Sequence, residues 1–484
     1  MRNSKKFSQY AEFLTGIVEK KSVKDDFEVV QVVSDSGKVL PGALFCAVKG
    51  VKNDGNLFIP AAVERGATGV IGRDAAQCGK NFIQVSEDRL AYSEAVRYFY
   101  DEPDKDLKLF GVTGTNGKTT SVYLFFHLLK LLGHNPALFS TVENFDGLDF
   151  KKSSCTMPDA GELFAFCRRS FDNGADYMLC ECSSHALAQK RVGRAEFQAA
   201  IFTNLTGDHL DYHNTMEDYF AAKKVLFTEN LASDGIAVVN IDDVYGAELA
   251  GELAAAGKNV VTFGFSPDAA MRMEEDEKGF IFAGRRIESS LTGRHNFYNI
   301  SGVLSVLCSS GFALAECVSL LKKNPLNVPG RLEKIDLHSH GTAFVDYAHT
   351  DDALKNVLQI LRRETAALNG RLICVFGCGG NRDRSKRPRM GRVVSEFADE
   401  FIVTSDNPRD EEPEDIINEI LVGCIRKPYC IFVDREEAIK SAVALARAND
   451  IVLVAGKGHE KEQIIKGGKI YFDDCEILRK YCDI

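Results

Sequence analysis

Hydrophobic residues along the chain fall into three successive patterns of short apolar runs and amphipathic stretches. In residues 1–105 the apolar runs FEVVQVV, GALFCAV, ATGVIG and NFIQV stand between Gly- and Asp-rich turns. Short runs bounded by such turns are typical of strands, so this segment predicts a small α/β domain that ends near Glu102 to Asp106.

The second pattern begins with LKLFGVT, an uninterrupted apolar run of the kind that a strand buried on both faces shows. The strand-like runs YMLCEC, AAIFTNL, GIAVVNI and VVTFGF then alternate with helical patterns as far as about Leu321. This alternation predicts a doubly wound parallel sheet for residues 106–330. The first helix of this segment shows apolar side chains at helical spacing, at Val122, Phe125, Phe126, Leu129 and Leu132.

The third pattern restarts after NVPGRLEKI with the runs TAFVDYA, RLICVFG, EFIVTS, CIFV and DIVLVAG. It predicts a Rossmann-like unit for residues 331–484, with Pro329 and Gly330 as the hinge. The predicted fold class is therefore α/β in three domains. A length of 484 residues agrees with this division, because one hydrophobic core rarely serves so long a chain.

Composition and charge narrow the classes of function. Apolar residues make up 45% and charged residues 26% of the chain, which is the balance of a soluble globular protein. A net charge of -10 argues against nucleic-acid binding, which needs a broad positive field. Since no stretch approaches the roughly eighteen uninterrupted apolar residues of a membrane span, we expect no membrane insertion.

Cysteine usage indicates the compartment. The fourteen cysteines include no CxxC pair and lie scattered through apolar segments, so they are interpreted as small core residues. Unpatterned thiols would mispair in an oxidising compartment, and the start MRNSKKFSQYAEFLTG lacks the continuous apolar core of a signal peptide. We therefore expect a cytoplasmic protein.

The loop GTNGKT, Gly114 to Thr119, lies between the first strand and the first helix of the central segment. Its glycines let backbone N–H groups converge on phosphate oxygens at a helix N-terminus. Lys118 would reach the β- and γ-phosphates of ATP, and Thr119 would bind Mg²⁺. The generic motif requires glycine where this chain has Val112, and the alternative interpretation is a plain glycine-rich turn.

Three further residues are candidates on weaker grounds. Glu181 ends a predicted strand and His209 follows another, which is where ligands gather in α/β sheets. Taken alone, a glutamate in such a strand is more often a satisfied edge carboxylate, and an Asp-His pair such as the one that includes His209 is more often a helix N-terminal cap. The run AAKKVLF suggests a helix with two lysines on a solvated face, and its spacing does not distinguish Lys223 from Lys224.

The motifs together resemble the Mur ligases, the cytoplasmic enzymes that build the peptidoglycan stem peptide. GVTGTNGKTT is similar to their ATP loop, including the shifted glycine, and the similarity in order and spacing covers nearly the whole chain. VFGCGGNRDRSKRP, SDNPR and AGKGHE resemble the members that add the third amino acid. The other similar segments are ECSSHALAQKRV, TNLTGDHLDYH, YFAAKKVLF, GRHNFYN, PGRLE and VDYAHT.

This resemblance implies a UDP-MurNAc-binding domain at 1–105, an ATP-binding domain at 106–330 and an amino-acid-binding domain at 331–484. The ATP contacts it implies are Gly114, Thr115, Asn116, Gly117, Lys118, Thr119, Thr120, Asn299, Arg331, Asp346 and His349. The Mg²⁺ ligands it implies are Thr119, Glu181, His209 and an N-carbamate formed with CO₂ on Lys223. Catalytic roles fall on Lys118, Lys223 and His209. Taken without the family, Arg331 is equally interpreted as a hinge arginine that caps a helix.

The resemblance also implies two substrate sites. The UDP-MurNAc-dipeptide contacts are Ser34, Ser36, the loop Val51 to Asn53, Thr156, Ser183, Gln189 and Arg191. Where the family commonly reads NTTP this chain reads CTMP, so polar contacts from Cys155 and Met157 are lost or replaced. The amino-acid contacts are Arg382, Asp406, Asn407, Pro408, Arg409, Gly456 and Glu460. Arg409 can grip the distal carboxylate of meso-diaminopimelate in a bidentate way, whereas it would repel the terminal ammonium of lysine.

The implied reaction joins the γ-carboxylate of D-Glu in UDP-MurNAc-L-Ala-D-Glu to meso-diaminopimelate through an acyl phosphate, by a monomer that uses ATP and Mg²⁺. One alternative is the same ligase with L-lysine, ornithine or another diamino acid. Another is a ligase like folylpolyglutamate synthetase. Outside the ligases, the alternatives are a P-loop switch or motor that only hydrolyses ATP, and a nucleotide-binding scaffold without catalysis.

Overall fold

The computed structural model describes residues 5–50, 53–153, 155–276, 279–291 and 293–482, and it is built from three sheets that follow one another along the chain. A separate two-stranded hairpin lies near the C-terminal end. Helices pack on these sheets in all three segments, so the predicted α/β class is confirmed. The predicted boundaries at 105 and 330 fall in the connections between sheets, and as limits of folding units they stay predictions.

The N-terminal sheet has five strands in the order β1-β5-β4-β3-β2, parallel except for the edge pair of β1 with β5. Its strands are β1 Val18–Ser22, β2 Gln31–Val33, β3 Ala43–Ala47, β4 Gly69–Gly72 and β5 Asn81–Val85. Its helices are α1 Phe7–Phe13, α2 Ile59–Glu64 and α3 Asp88–Phe99.

The central sheet has eleven strands, of which seven form a parallel core in the order β14-β13-β12-β11-β6-β10-β7. Its strands are β6 Lys108–Thr113, β7 Pro136–Phe139, β8 Glu143–Phe145, β9 Phe150–Lys152, β10 Tyr177–Glu181, β11 Phe197–Phe202, β12 Leu231–Asn240, β13 Asn259–Gly264, β14 Met271–Asp276, β15 Gly279–Phe282 and β16 Arg285–Ile287. Its helices are α4 Lys118–Leu131, α5 Ala160–Asp172, α6 Ser184–Ala188, α7 Leu210–His213, α8 Met216–Thr228, α9 Val244–Ala255, α10 Arg294–Ser309 and α11 Leu314–Lys323.

Two apolar cores cover the two faces of this sheet, as a doubly wound arrangement requires. Helices α4, α10 and α11 contribute to one core, and α5, α8 and α9 contribute to the other. In α4 the side chains of Val122, Phe125 and Leu129 are fully buried, as their spacing predicts. The antiparallel additions are β8 and β9 at one edge of the sheet and β15 and β16 at the other. They were not predicted, because these strands have only three or four residues each.

The C-terminal sheet has six strands in the order β17-β18-β22-β19-β20-β21, with only β17 antiparallel to its neighbour. Its strands are β17 Glu333–Asp336, β18 Thr342–Asp346, β19 Leu372–Phe376, β20 Glu400–Thr404, β21 Cys430–Phe432 and β22 Ile451–Ala455, and the hairpin is β23 Glu462–Ile465 with β24 Gly468–Tyr471. Its helices are α12 Asp351–Leu368, α13 Lys386–Phe397, α14 Pro413–Gly423, α15 Arg435–Leu445 and α16 Asp474–Tyr481. No helix in the described part of the chain is both long and apolar enough to span a membrane.

Candidate active site

A cavity of about 520 Å³ lies at the carboxyl ends of the central strands and is lined by residues from both the central and the C-terminal segments. This volume is in the usual range for a small-molecule site. Sequence-predicted residues that line it are Thr115, Asn116, Gly117, Lys118, Thr119, Thr120, Thr156, Glu181, Ser183, His209, Lys223, Asn299, Arg331, Asp346 and His349.

The glycine loop connects β6 to α4 at the floor of this cavity. Gly114 has a φ of 146°, and a Cβ atom there would lie 1.9 Å from the Thr203 hydroxyl oxygen. Gly117 has a φ of 87°, and its Cβ would lie 2.2 Å from Asn299 Oδ1. Only glycine fits at these two positions, so the loop backbone itself can approach a ligand closely. The N-terminus of α4 begins directly after Gly117, which suits a phosphate group.

Lys118 turns back over the loop. Its Nζ donates to the carbonyl oxygens of Gly114 and Thr115, both at 2.9 Å. Burial lowers the pKa of Lys118, and the nearby Arg331 charge lowers it further, while Glu181 and Asp208 act in the opposite direction. A phosphate group bound on this loop would place negative charge next to Lys118 and so stabilise its protonated form.

Glu181 ends β10, which lies between β6 and β7 in the interior of the sheet rather than at an edge. Its carboxylate accepts hydrogen bonds from the Thr119 hydroxyl at 3.0 Å and from the Thr141 amide and hydroxyl at 2.8 and 3.0 Å. The Thr141 hydroxyl also contacts the Thr156 hydroxyl at 3.0 Å. Thr141 was not predicted from the sequence, although it stands two residues after β7, at the same edge of the sheet.

His209 lies at the N-cap position of the short helix α7 with a φ of 56°. Its backbone therefore occupies the position that the helix-cap interpretation predicts, but its side chain makes no capping hydrogen bond. Its Nε2 lies 3.5 Å from Asp208 Oδ2, and His349 Nε2 of the C-terminal segment lies 4.0 Å from the same oxygen. Burial lowers the pKa of His209, and Asp208 opposes that shift. Burial alone would raise the pKa of Asp208, but His209, His349 and Lys386 lower it overall. The sequence did not single out Asp208, and a role of His209 as a metal ligand stays a prediction.

The two neighbouring lysines of α8 have opposite environments, so the interpretation that both lie on a solvated face is wrong. Lys223 is 1% exposed, and its Nζ donates to the Gly114 carbonyl oxygen at 2.7 Å. Burial lowers the pKa of Lys223 well below its ordinary value, and the Lys118 charge adds to the shift. Lys224 lies on the outer side of the helix and pairs with Glu252 at 2.7 Å. Only Lys223 reaches the site, because α8 packs this side chain beneath the phosphate loop.

Residues after the hinge reach back to the loop. Arg331 Nη2 donates to the Thr119 hydroxyl oxygen at 3.1 Å, and its guanidinium lies 4.5 Å from the centroid of the Tyr347 ring. The interpretation of Arg331 as a helix-capping hinge residue is therefore wrong. Asp346 accepts from the backbone amides of Leu332 and Ala348, at 2.7 and 2.8 Å, and thereby fixes the strand end next to Arg331. Burial raises the pKa of Asp346.

The residues predicted to hold the UDP-linked substrate divide into two groups. Thr156 and Ser183 line the cavity, whereas Gln189 and Arg191 lie outside the lining and bond to each other at 3.0 Å. Ser34 and Ser36 lie after β2 in the N-terminal segment and are not part of the cavity wall. Of the predicted loop Val51 to Asn53, the first two residues lie outside the described residues.

The unusual Met157 in CTMP packs its side chain into the apolar core at 1% exposure. Its carbonyl oxygen accepts a hydrogen bond from Arg191 Nη1. This position therefore still contacts a predicted substrate residue, but through its backbone. Cys155 is exposed.

The predicted amino-acid residues form a second cluster next to the cavity, at the carboxyl ends of β19, β20 and β22. Arg409 has a φ of 55°, and its Nη1 donates to the Gly380 carbonyl oxygen at 2.8 Å. Burial lowers the pKa of Arg409, and the nearby Arg382 charge adds to that shift. The Asn407 side-chain amide donates to Glu460 at 2.8 Å, and the Tyr347 hydroxyl links Glu460 to the cavity at 3.5 Å.

The remaining predicted members of this cluster lie in the loops that end the same strands. Asp406 is buried, Pro408 approaches Gly380 through its carbonyl oxygen, and the Gly456 amide donates to Asp346. The sequence did not single out Lys457, whose fully buried Nζ contacts Asn407 at 3.2 Å and Glu460 at 3.3 Å. No local pattern marks this lysine as buried, because it stands in a glycine-rich loop.

The geometry places this chain among multidomain α/β proteins that bind the phosphates of a nucleotide where two domains meet. Three family models match it: "Mur ligase family, catalytic domain" over residues 28–105, "Mur ligase middle domain" over 112–307 and "Mur ligase, glutamate ligase domain" over 330–458.

Curated relatives and solved structures agree with these matches. The UDP-N-acetylmuramoyl-L-alanyl-D-glutamate--2,6-diaminopimelate ligase of Geobacter sulfurreducens is 41% identical and covers 96% of this chain and 97% of its own. A solved structure of a UDP-N-acetylmuramoyl-L-alanyl-D-glutamate--2,6-diaminopimelate ligase is 31% identical, covers 100% of this chain and 99% of its own, and gives a TM-score of 0.68. The MurF ligase from Thermotoga maritima in complex with ADP has the same fold at 18% identity and a TM-score of 0.63, covering 94% of this chain and 98% of its own.

The chain belongs to the Mur ligase family. The resemblance predicted from the motifs is thus confirmed, and with it the prediction that this protein is a ligase.

Proposed function

We propose that this protein is the ATP-dependent ligase that adds meso-diaminopimelate to the γ-carboxylate of D-Glu in UDP-MurNAc-L-Ala-D-Glu, acting as a cytoplasmic monomer in peptidoglycan synthesis. The observation that carries the proposal is the adjacency of two clusters: the phosphate loop with Lys118, and the C-terminal cluster with Arg409, joined through Tyr347 and Glu460. The names of relatives that cover nearly the whole chain support the same reaction.

ATP would bind with its phosphates on the loop Gly114 to Thr119 and at the N-terminus of α4, where backbone amides and Lys118 meet them. Asn299, Asp346 and His349 line the cavity on the side of α10 and the C-terminal segment, where the base and ribose would lie. Arg331 would add a second cation next to the phosphates. The ordered position of Arg331 on Thr119 supports a role in closing the site around ATP.

The donor set of the site suits Mg²⁺ that is held mainly by phosphate oxygens. Within the described residues no group of three or more His, Cys, Asp or Glu side chains could enclose a metal ion. Mg²⁺ commonly takes one or two protein oxygen ligands besides phosphates and water, and the Thr119 hydroxyl and Glu181 carboxylate would be such ligands. His209 would be the third, next to Asp208. When bound, Mg²⁺ would neutralise charge on the phosphate oxygens.

The chemistry follows from joining a carboxylate to an amine in water, where the carboxylate is a poor electrophile and its oxygen a poor leaving group. The γ-carboxylate oxygen of D-Glu would attack the γ-phosphorus of ATP, which releases ADP and leaves an acyl phosphate. The amine of diaminopimelate would then attack the acyl carbon, and the resulting tetrahedral intermediate would expel phosphate and lose a proton from nitrogen. Lys118 would stabilise the negative charge that moves across the phosphoryl group.

Lys223 would carry the carbamate that the family resemblance implies. Its buried Nζ lies against the phosphate loop, where an unmodified ammonium would add to the positive charge of Lys118. The lowered pKa of Lys223 favours its neutral amine, and attack of this amine on CO₂ with loss of a proton would give a carbamate anion that can bind Mg²⁺ or hold Lys118. The neighbouring Lys224 is excluded from this role by its position on the outer face.

Arg409 supports meso-diaminopimelate as the amino acid. Its guanidinium is half-buried beside Asn407 and Glu460, so a carboxylate and an ammonium at the distal end of the substrate would each meet an opposite charge. L-Lysine carries only the ammonium and would leave Arg409 unpaired.

Phosphate release measured with a panel of amino acids tests the proposal. The expected result is release that requires both UDP-MurNAc-L-Ala-D-Glu and meso-diaminopimelate, with little turnover of L-lysine, ornithine or lanthionine. Equal or faster turnover with L-lysine would contradict the proposed specificity. Release without any amino acid would indicate a nucleotide hydrolase, and release that requires a folate substrate would indicate the folylpolyglutamate alternative.

A further inference from the structure

Arg387, the second residue of α13, is fully buried, although it carries one of the largest polar side chains in the C-terminal segment. Its two terminal nitrogens bind both carboxylate oxygens of Glu411, each at 2.9 Å, and Nη1 also binds Glu419 at 2.9 Å. Hydrogen bonds from Arg387 lower the pKa of Glu411 to about 2, so the pair is ionised at neutral pH. A buried cation with two carboxylates is strongly oriented.

This ion pair joins the two loops that carry the proposed amino-acid contacts. Arg387 Nη2 donates to the Gly379 carbonyl oxygen at 3.2 Å, in the loop that continues to Arg382. Glu411 accepts from the Asn381 amide, and the Asp410 amide donates back to Asn381 Oδ1 at 3.1 Å. One guanidinium therefore holds the loop after β19 against the turn that follows Arg409.

The loop after β19 packs so closely against the turn at Pro408 and Arg409 that a small displacement of either one would move the Arg409 side chain. A Cβ atom on Gly380 would lie 1.9 Å from the Pro408 carbonyl oxygen, and one on Gly379 would lie 2.9 Å from Arg409 Nη1. Asn381 and Arg409 both have left-handed backbone conformations, with φ of 51° and 55°. Such conformations persist in non-glycine residues only where the surroundings fix them.

We infer that Arg387 and Glu411 are positioning residues for amino-acid recognition: their ion pair fixes the loop geometry in which Arg409 meets the distal carboxylate of the incoming diamino acid. This inference rests on the proposed function, because that function assigns the carboxylate to Arg409. Neither residue reaches the substrate itself. The ion pair holds Arg409 in one conformation before the substrate binds, so less conformational entropy is lost on binding.

Glu411→Gln and Glu419→Gln form a matched pair of variants. Both remove one carboxylate from the same arginine and leave the other to neutralise it, but only Glu411 accepts from the Asn381 backbone amide, whereas Glu419 contacts that loop only through the exposed Arg384 side chain. We expect Glu411→Gln to raise KM for meso-diaminopimelate about tenfold, because a displacement of about 1 Å at a binding group is costly. The KM values for ATP and the UDP-linked substrate and the kcat at saturating amino acid should stay within about twofold. Glu419→Gln should leave all four values within the same range.

Asn381→Gly provides a second variant, since glycine adopts the left-handed conformation without strain and the exposed position tolerates the change. It should raise the same KM severalfold. A KM for meso-diaminopimelate that stays at the wild-type value in both Glu411→Gln and Asn381→Gly would overturn the inference. So would a parallel rise in all three KM values together with a lower Tm, which indicates a merely structural pair. Wild-type protein without any diaminopimelate-dependent phosphate release would instead contradict the proposed function.

Discussion

Arg331 and Thr119 are joined by a hydrogen bond of 3.1 Å although 212 positions separate them in the chain. The Thr119 hydroxyl in turn donates to Glu181 at 3.0 Å, so an arginine of the C-terminal segment, a residue of the phosphate loop and a strand-end carboxylate form one chain of contacts. This arrangement couples the position of the C-terminal sheet to the phosphate site. We therefore expect that the closure of the C-terminal segment over the site and the binding of phosphate both depend on Arg331.

Arg331→Ala should therefore lower kcat/KM for ATP by about 10²- to 10³-fold, which is the usual loss when one fixed electrostatic donor is removed from a site. Phosphate release at varied ATP measures the effect. Arg272→Ala is the control, because Arg272 is an exposed arginine of the central segment that pairs with the exposed Glu274. Equal activity of Arg331→Ala and wild type would contradict a role in closure.

Replacement of the two adjacent lysines should have very different results. Lys223→Ala should lower kcat by at least about 100-fold, because it removes the buried group beneath the phosphate loop. Lys224→Ala should change kcat by less than twofold, because exposed ion pairs contribute only about 0–1 kcal/mol. Intact mass under native conditions should show the added mass of one CO₂ in wild type and Lys224→Ala and its absence in Lys223→Ala. Wild type without the added mass of CO₂, or Lys223→Ala with it, would contradict the carbamate.

Stability should fall in mild acid through the half-buried His295. Burial lowers the pKa of this imidazole to about 4 from an ordinary value of 6.5. Between these values the unfolded chain binds a proton that the folded chain does not, so the free energy of unfolding decreases as pH falls from 6.5 to 4. The contribution of one such group over this interval is about 3 kcal/mol, and it does not grow further below pH 4, where both states are protonated.

Urea unfolding of His295→Gln at several pH values measures this contribution. The variant should lose about 3 kcal/mol less stability than wild type between pH 6.5 and pH 4. The control is His338→Asn, which replaces an imidazole that is 60% exposed and should follow the wild-type curve. Identical pH slopes for wild type and His295→Gln would show that His295 does not titrate in this way.

The choice of amino acid should depend on Arg409. Arg409→Asn should raise KM for meso-diaminopimelate about 10- to 100-fold, because a hydrogen bond to a charged group contributes about 1.5–3 kcal/mol. Asparagine tolerates the left-handed backbone at this position, so the fold should persist. Arg392→Ala removes an exposed arginine of the same segment, on α13, and should leave this KM unchanged. An unchanged KM in Arg409→Asn would place the distal carboxylate elsewhere.

The fold and the phosphate loop could be predicted from the sequence because their signals are local. The apolar run before Gly114 and the amphipathic helix after Gly117 each occupy consecutive positions, and parallel strands bring their carboxyl ends to one edge. The edge strands could not be predicted in this way. Strands of three residues contain too few positions to show a period.

Several site residues depend on contacts that no local pattern records. Lys223 and Lys224 have the same neighbours in sequence, and only the packing of α8 against the sheet decides that Lys223 is buried. Thr141 reaches Glu181 because β7 and β10 are neighbours in the sheet order. Lys457 is buried only because the loops after β20 and β22 meet around it. The burial and contacts of each of these residues are determined by which strands and helices lie next to one another in the fold, and the residue type alone does not reveal them.

The proposed acyl phosphate is tested most directly by tracing the oxygen atoms of the D-Glu γ-carboxylate into the reaction products. The protein is incubated with ATP, meso-diaminopimelate and UDP-MurNAc-L-Ala-D-Glu in which the γ-carboxylate of D-Glu carries heavy oxygen, and the released phosphate and the UDP-linked product are analysed by mass spectrometry. An acyl phosphate predicts a tripeptide product and one heavy oxygen atom in each phosphate. Phosphate that contains oxygen only from ATP and solvent water, or released without a tripeptide product, would contradict the account.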